Sequence, residues 1–391
     1  METQRHESAV ALPTAKGIDV VRLERELTAM WSKATAGEEG KEGPGVMRAC
    51  VLNLIVYEPL HQEREAIDAL LDEVFESNPC RALIIFADAN STEERLDARV
   101  STRCSQSSKG ARQICGEQVT IEASGAAVAR AGSAVAALLV PDVPVFLWWK
   151  DIPHYEDKLF ERLVGVADRV VIDSAAFDHP REDLLRLAEV VRANPEYMAA
   201  SDLCWGRLTP WRSMLASFWD VKDYAPHLRA LDRIEITFDS AAAAAGPKIS
   251  APALLCAGWL CSRLGWKVVR CVASGEDAPA EVELSAADGR GMRLVFKHAG
   301  RGTVETSGLR SLALKSEETG AEFWVELKMG EAKLETATRL GASGRVVGRL
   351  TDFPVRSEGE WLSGELALLT RDKVYEQAVA ACAEVLKSLN R

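Results

Sequence analysis

The sequence predicts an α/β fold: an N-terminal mixed-sheet α/β domain, then an α+β domain with an antiparallel meander and a C-terminal helix. Three observations carry this expectation. From residue 47 onward, apolar runs of strand length alternate with charged helical stretches. After Trp266 the hydrophobic period changes to two. From Thr370 the chain aligns Val374, Ala378, Cys382, Val385 and Leu389 at helical spacing, a cover for one face of the meander.

In chain order, residues 18–31 place Val20 or Val21, Leu23 or Leu27, and Trp31 near helical spacing with charges between them, which predicts one amphipathic helix docked on the body. Residues 34–45 contain four glycines and no apolar period, the mark of a flexible connection. Three regions follow: 1–45 for helix and connection, 46–178 for the α/β domain, and 179–391 for the α+β domain. Strands at 51–56, 82–86, 143–149 and 170–173, with helices at 62–75, 126–139 and 155–164, supply the first sheet. Two polar-alternating segments, 96–105 and 118–123, are expected to pair antiparallel and half-exposed, making that sheet mixed.

Pro180 stands where a first helical residue belongs, and the helix it opens stops at Asn194-Pro195. Residues 205–219 are tryptophan-rich and helical, 231–238 a strand, and 249–264 a helix whose only charge is Arg263, so it must be buried on most sides. Between 268 and 350, alternations such as Arg293-Leu294-Val295-Phe296-Lys297 predict a meander with one apolar and one solvated face.

The balance of 47 Lys plus Arg against 58 Asp plus Glu, a charge of −11, argues against a general nucleic-acid binder. The polar start, with no apolar run near the ~20 residues of a span, predicts a cytoplasmic protein with no membrane contact. Nine scattered cysteines read as small buried thiols, among them Cys50, Cys256 and Cys271. Cys104 and Cys115 flank the polar stretch 105–112 and are the candidates for a redox response.

Gly289-Arg290-Gly291 and the glycines at 341 and 344 are turn residues without a following helix, so no phosphate-cradling loop and no cofactor is expected. Cys256 and Cys261 lie five apart on one helix, on opposite sides, which excludes a shared metal. No serine sits in a Gly-x-Ser-x-Gly elbow, and Pro153 precedes His154 where an orienting acid would be needed. His154 is therefore read as a loop or helix-cap residue, and no catalytic residue is assigned.

The densest chemistry is Asp202-Leu203-Cys204-Trp205-Gly206-Arg207-Leu208-Thr209-Pro210-Trp211-Arg212. Guanidinium planes stack on indoles and fork onto carboxylates or phosphates. Asp202, Trp205, Arg207, Thr209, Trp211 and Arg212 are thus a candidate surface for an anionic ligand or an acidic partner loop. The competing reading makes Trp205 and Trp211 core anchors and pairs Asp202 internally with Arg207 or Arg212.

This stretch does not stand alone. Cys115-Gly116-Glu117-Gln118-Val119-Thr120, Leu139-Val140-Pro141-Asp142-Val143-Pro144-Val145-Phe146-Leu147-Trp148-Trp149 and Gly258-Trp259-Leu260-Cys261-Ser262-Arg263-Leu264-Gly265-Trp266 accompany it. Together, and in this order, they resemble the glucose-6-phosphate dehydrogenase assembly protein family, OpcA. The resemblance runs from about residue 46 to the end. It implies a non-catalytic protein that binds glucose-6-phosphate dehydrogenase, promoting its active assembly or activating it allosterically, at the entry of the oxidative pentose phosphate pathway. An enzyme or binding protein for a phosphorylated sugar, using the Trp and Arg cluster, is the alternative.

Overall fold

The computed structural model describes residues 4–7, 17–36, 45–59, 64–106, 112–193, 198–240, 248–273, 280–301, 308–328, 330–341, 344–353, 355–368 and 370–389. The chain divides into two compact units that take it in turns. The first comprises Met1–Ile172, Asn194–Ser201 and Ser357–Arg371; the second comprises Asp173–Ala193, Asp202–Arg356 and Asp372–Arg391. Among the described residues, no helix is long and apolar enough to cross a membrane.

The strands of the first sheet are β1 (Gln4–Glu7), β2 (Gly45–Arg48), β3 (Leu52–Glu58), β4 (Cys80–Asp88), β5 (Arg95–Gln106), β6 (Arg112–Ser124), β7 (Val145–Trp149), β8 (Arg169–Ile172) and β9 (Ala199–Asp202). They lie in the order β1-β5-β6-β4-β3-β7-β8-β9, with β2 also on β6. β6, β4, β3, β7 and β8 run parallel, and β5 is antiparallel to β6. From β3 the chain steps outward through β4 to β6, then resumes on the other side of β3 with β7 and β8. That reversal is the topological switch point of a doubly wound sheet.

Parallel strands covered on both faces read as continuous apolar runs, and every residue of β3 is buried. Helix α1 (Val20–Ala36) docks through Leu23, Leu27 and Trp31, and its Glu24 reaches Arg81 at 2.6 Å. The connection expected at 34–45 is shorter than that, since α1 continues to Ala36 and Gly45 already belongs to β2; residues 37–44 lie outside the described ones. α2 (Arg64–Ser77) buries Ile67, Leu70, Leu71, Val74 and Phe75 at helical spacing. α3 (Val128–Leu138) and α4 (Lys158–Val164) follow β6 and β7; Asp157 caps α4 by accepting the Leu159 and Phe160 N–H groups at 2.7 and 3.1 Å.

One expectation fails here. β5 alternates as foreseen, but residues 115–121 of β6 are buried on both faces, because β6 lies between β5 and β4 rather than at an edge. Its polar side chains are matched by charges from neighbouring elements. Glu117 pairs with Arg81 and Arg48, and Gln118 bonds Arg103, which Asp68 and Asp72 of α2 also hold.

In the second unit, α5 (Pro180–Ala193), α6 (Leu203–Arg207), α7 (Thr209–Ser217) and α8 (Ala225–Leu228) precede an eight-stranded sheet. Its strands are β10 (Arg233–Ser240), β11 (Lys267–Ala273), β12 (Ala280–Ser285), β13 (Gly291–Arg301), β14 (Leu309–Lys315), β15 (Glu322–Lys328), β16 (Lys333–Arg339) and β17 (Val347–Asp352). The expected meander is present but interrupted: β10 lies between β13 and β14, parallel to the first and antiparallel to the second. Ile234, Ile236 and Phe238 are all buried, which suits a central strand.

α9 (Ala251–Leu264) is buried at every position from Ala251 to Cys261, and ends at Gly265 in the left-handed conformation, φ 69°. α10 (Glu358–Leu366) packs in the first unit, and α11 (Lys373–Leu389) lies against α9. α11 buries Ala378, Cys382, Val385 and Leu389 as the spacing predicted, with Tyr375 buried in place of Val374.

The two helices touch at Gly258, where an added Cβ would meet the Ala378 carbonyl oxygen at 2.2 Å and Cys382 Cβ at 2.7 Å. Gly258→Ala, although a better helix former, is therefore expected to lower unfolding stability by about 1–3 kcal/mol. A thermal melt checks this; an unchanged midpoint would mean that the backbones are not in contact there.

Candidate functional site

Three aspartates stand at the three points where the chain enters the second unit, and each opens a helical turn. Asp173 accepts the Ala175 N–H at 3.1 Å, Asp202 the Cys204 N–H at 2.9 Å, and Asp372 the Tyr375 N–H at 2.9 Å. Side chains join the three turns. Asp202 Oδ1 also accepts the Ser174 N–H at 3.0 Å, while its Oδ2 accepts the hydroxyls of Ser174 at 2.6 Å and Tyr375 at 3.4 Å. The Trp205 indole donates to Asp372 at 2.8 Å, and Arg207 Nη1 reaches both oxygens of Asp173 at 2.7 and 2.8 Å.

The rest of the cluster is built around Trp205. The Arg212 guanidinium lies 3.5 Å from the centre of its ring and donates to the Trp205 carbonyl at 3.2 Å and to Thr209 Oγ1 at 2.9 Å. Trp211 is fully buried and meets Phe353 edge-on at 6.4 Å. Of the six residues singled out in the sequence, Asp202, Trp205, Arg207, Thr209 and Arg212 are thus linked through Asp173, Ser174, Asp372 and Tyr375, whereas Trp211 packs on Phe353. Asp202 pairs with neither Arg207 nor Arg212, contrary to the internal pairing weighed above, because Arg207 is held by Asp173. Asp173, Ser174, Asp372 and Tyr375 were missed; the only local trace of them is an Asp preceding each helical turn.

Burial, and then the nearby Asp173 charge, pushes the Asp202 carboxyl up to about 7, against hydrogen bonds from Ser174 and Cys204 that favour its ionised form. Burial also raises the Cys204 thiol well above its ordinary value. For Arg207 burial works against the charge, yet Asp173 outweighs it and the guanidinium is held more firmly protonated.

The switch point of the first sheet is filled by side chains. At the carboxyl end of β3, Tyr57 stacks on Trp149 at the end of β7, with ring centres 3.7 Å apart, and Trp149 meets Phe160 edge-on. Beside them Glu58 pairs with Lys150 at 3.0 Å, and Lys150 lies over Trp148. Tyr57, Glu58, Trp148 and Trp149 are all buried. His154 is in the loop that follows, where its carbonyl accepts the Asp157 N–H. Among the described residues no group of His, Cys, Asp and Glu is placed to hold a metal ion.

Cys80, Cys204, Cys256, Cys261 and Cys382 are buried thiols, in keeping with the sequence reading, and the other four cysteines differ from it. Cys104 and Cys115 are opposite each other across β5 and β6, and they are joined in a disulfide against which Trp31 packs. Cys50 and Cys271, expected to be buried, are half-buried, because Cys50 precedes β3 and Cys271 lies on the edge strand β11.

A doubly wound sheet in one unit and a broad, mainly antiparallel sheet in the other define a two-unit α/β protein. The chain belongs to the OpcA family. Residues 71–189 match the family model described as the glucose-6-phosphate dehydrogenase subunit N-terminal domain, and residues 198–379 match that of the C-terminal domain. A relative in Nostoc punctiforme, provisionally named OxPP cycle protein OpcA, is 37% identical over 201 residues, 51% of this chain and 41% of that protein. A Synechocystis protein of the same provisional name is 29% identical over 327 residues, 81% of this chain and 66% of its own. This chain thus spans less than two thirds of the length of either. Among solved structures it is similar to KijD10, a 3-ketoreductase from Actinomadura kijaniata, at a TM-score of 0.47 and 10% identity, over 88% of this chain and 97% of that one.

Two measurements test the site. Asp202 binds its proton more tightly when folded than the unfolded value near 4 allows, so it adds stability below pH 4 that is lost as pH rises towards 7. Asp202→Asn should flatten the dependence of melting temperature on pH between 5 and 8, gaining on wild type at pH 8; an unchanged slope would contradict the assignment. Alkylation of the native protein should modify Cys50 and Cys271 first. Cys80, Cys204, Cys256, Cys261 and Cys382 should react only on unfolding, and Cys104 and Cys115 only after reduction as well, read by peptide mass.

Proposed function

We propose that this protein is a non-catalytic partner of glucose-6-phosphate dehydrogenase that promotes its active assembly and activates it allosterically. The observation that carries the reading is the family match, which extends over both units and is described by that enzyme's name. The filled switch point supports it. In a doubly wound sheet a nucleotide binds in the crevice outside the carboxyl ends of the strands at the reversal. Here that position holds the Tyr57–Trp149 stack, and Glu58 sets a carboxylate where a pyrophosphate would need N–H donors.

The alternative, a phosphorylated sugar bound by the Trp and Arg cluster, has less support, since Arg207 is engaged by Asp173 and Arg212 by Trp205 and Thr209. An activator works by binding one state of the enzyme better than another. The purified chain should reduce no NADP alone, co-elute with its cognate dehydrogenase at micromolar concentration, and change that enzyme's rate saturably. Separate elution with unchanged kinetics at every ratio would refute the proposal.

A further inference from the structure

The second unit ends its sheet on a strand with little protection. β17 pairs with β16 through six residues in unbroken register, and among the described residues no strand lies on its other side. Phe353 N–H bonds the Ala332 carbonyl, so in this antiparallel ladder residues 351, 349 and 347 also turn their backbone groups toward β16. Gly348, Leu350 and Asp352 therefore turn theirs outward, a row of donors and acceptors at a sheet edge.

Side chains make this edge unusual. Val346 is 50%, Val347 58%, Leu350 51% and Val355 81% exposed, a run of large aliphatics on and beside a strand with neither face packed on a core. The opposite edge, β11, also exposes Val269 and Val272, but its register to β12 is broken twice by bulges, a feature that blunts edges. β17 has no such break. Its charge also runs against that of the molecule: residues 345–356 carry Arg345, Arg349 and Arg356 against Asp352, in a chain of net charge −11.

We propose that β17 is a docking edge that receives an extended, acidic segment of the partner dehydrogenase as an added strand. The outward backbone groups supply the ladder, the exposed aliphatics supply alternate side-chain contacts, and the arginines select acidic flanks. A second copy of this chain is disfavoured as occupant, because two like basic edges would be brought together. This inference rests on the function proposed above, and deepens it by naming the surface.

The test measures binding of the cognate dehydrogenase to wild type, to Leu350→Pro and to the double variant Arg345→Glu with Arg349→Glu, each confirmed folded by its melting temperature. Proline at 350 removes only an outward N–H, so pairing with β16 keeps its bonds. Wild type should bind, Leu350→Pro should lose binding, and the charge reversal should weaken it at least tenfold and abolish its salt sensitivity. If wild type and both folded variants bind within twofold of one another, the docking edge is overturned while the partnership stands. Should Leu350→Pro not fold, the charge reversal decides alone by the same limits. If wild type does not bind the dehydrogenase, the function itself fails. In that event a capped Glu-Val-Glu-Val-Glu-Val peptide tests the edge directly: protection of the 348, 350 and 352 amides from hydrogen exchange supports it, and none overturns it.

Discussion

The second unit depends on one buried carboxylate. Moving Asp202 out of water is costly, and the cost is offset only because both its oxygens are occupied by donors from three separate stretches of chain: Ser174, Cys204 and Tyr375. That arrangement fixes where α6 starts, where the turn after β8 starts, and how the first turn of α11 approaches them. The interior follows from it. α9 has no polar face of its own and is covered by α11, α6 and α5, of which the first two begin at this network. Arg207 and Trp205 extend the fastening to Asp173 and Asp372, so the most conspicuous residues of the sequence brace a junction before they can face a partner.

In the first unit, charge sets register rather than junctions. Arg103 is fully buried between Gln118 and two aspartates of α2, and Arg81 between Glu117, Glu24 and the Leu138 carbonyl. Slipping β5 by one residue would turn Arg103 to the other face and strand it without partners. Arg169 does similar work at the far side of the sheet, donating to Ser201 Oγ and to the Thr370 carbonyl, each at 2.6 Å.

Local pattern was readable wherever the residue itself declared its environment. The helix that ends near Trp31, the helix of Ile67-Leu71-Val74 and the apolar strands β3, β4 and β7 follow from pattern, although spacing alone left open which of Leu23 and Leu27 faces the core. What pattern could not supply was neighbourhood. β6 alternates like an exposed strand, yet it is interior, and its polar residues meet charges contributed by β2, β4 and β5. β10 gives no sign that it enters a sheet whose other members come after it in sequence. The Trp and Arg stretch was visible as a site because its residues are contiguous, whereas Ser174 and Tyr375 lie 28 and 173 residues from Asp202. The Cys104–Cys115 bond likewise needs the β5–β6 register, which the sequence between them does not encode.

The way the chain is shared has a consequence for its birth on the ribosome. Synthesis proceeds from the N-terminus, and domains close as their residues emerge. Here neither unit is a contiguous stretch: the first needs Ser357–Arg371, and the second needs Asp372–Arg391. α9, apolar over eleven successive positions, leaves the exit tunnel more than a hundred residues before the helix that covers it. For that interval the nascent chain carries an apolar helix before the segment that covers it has been made.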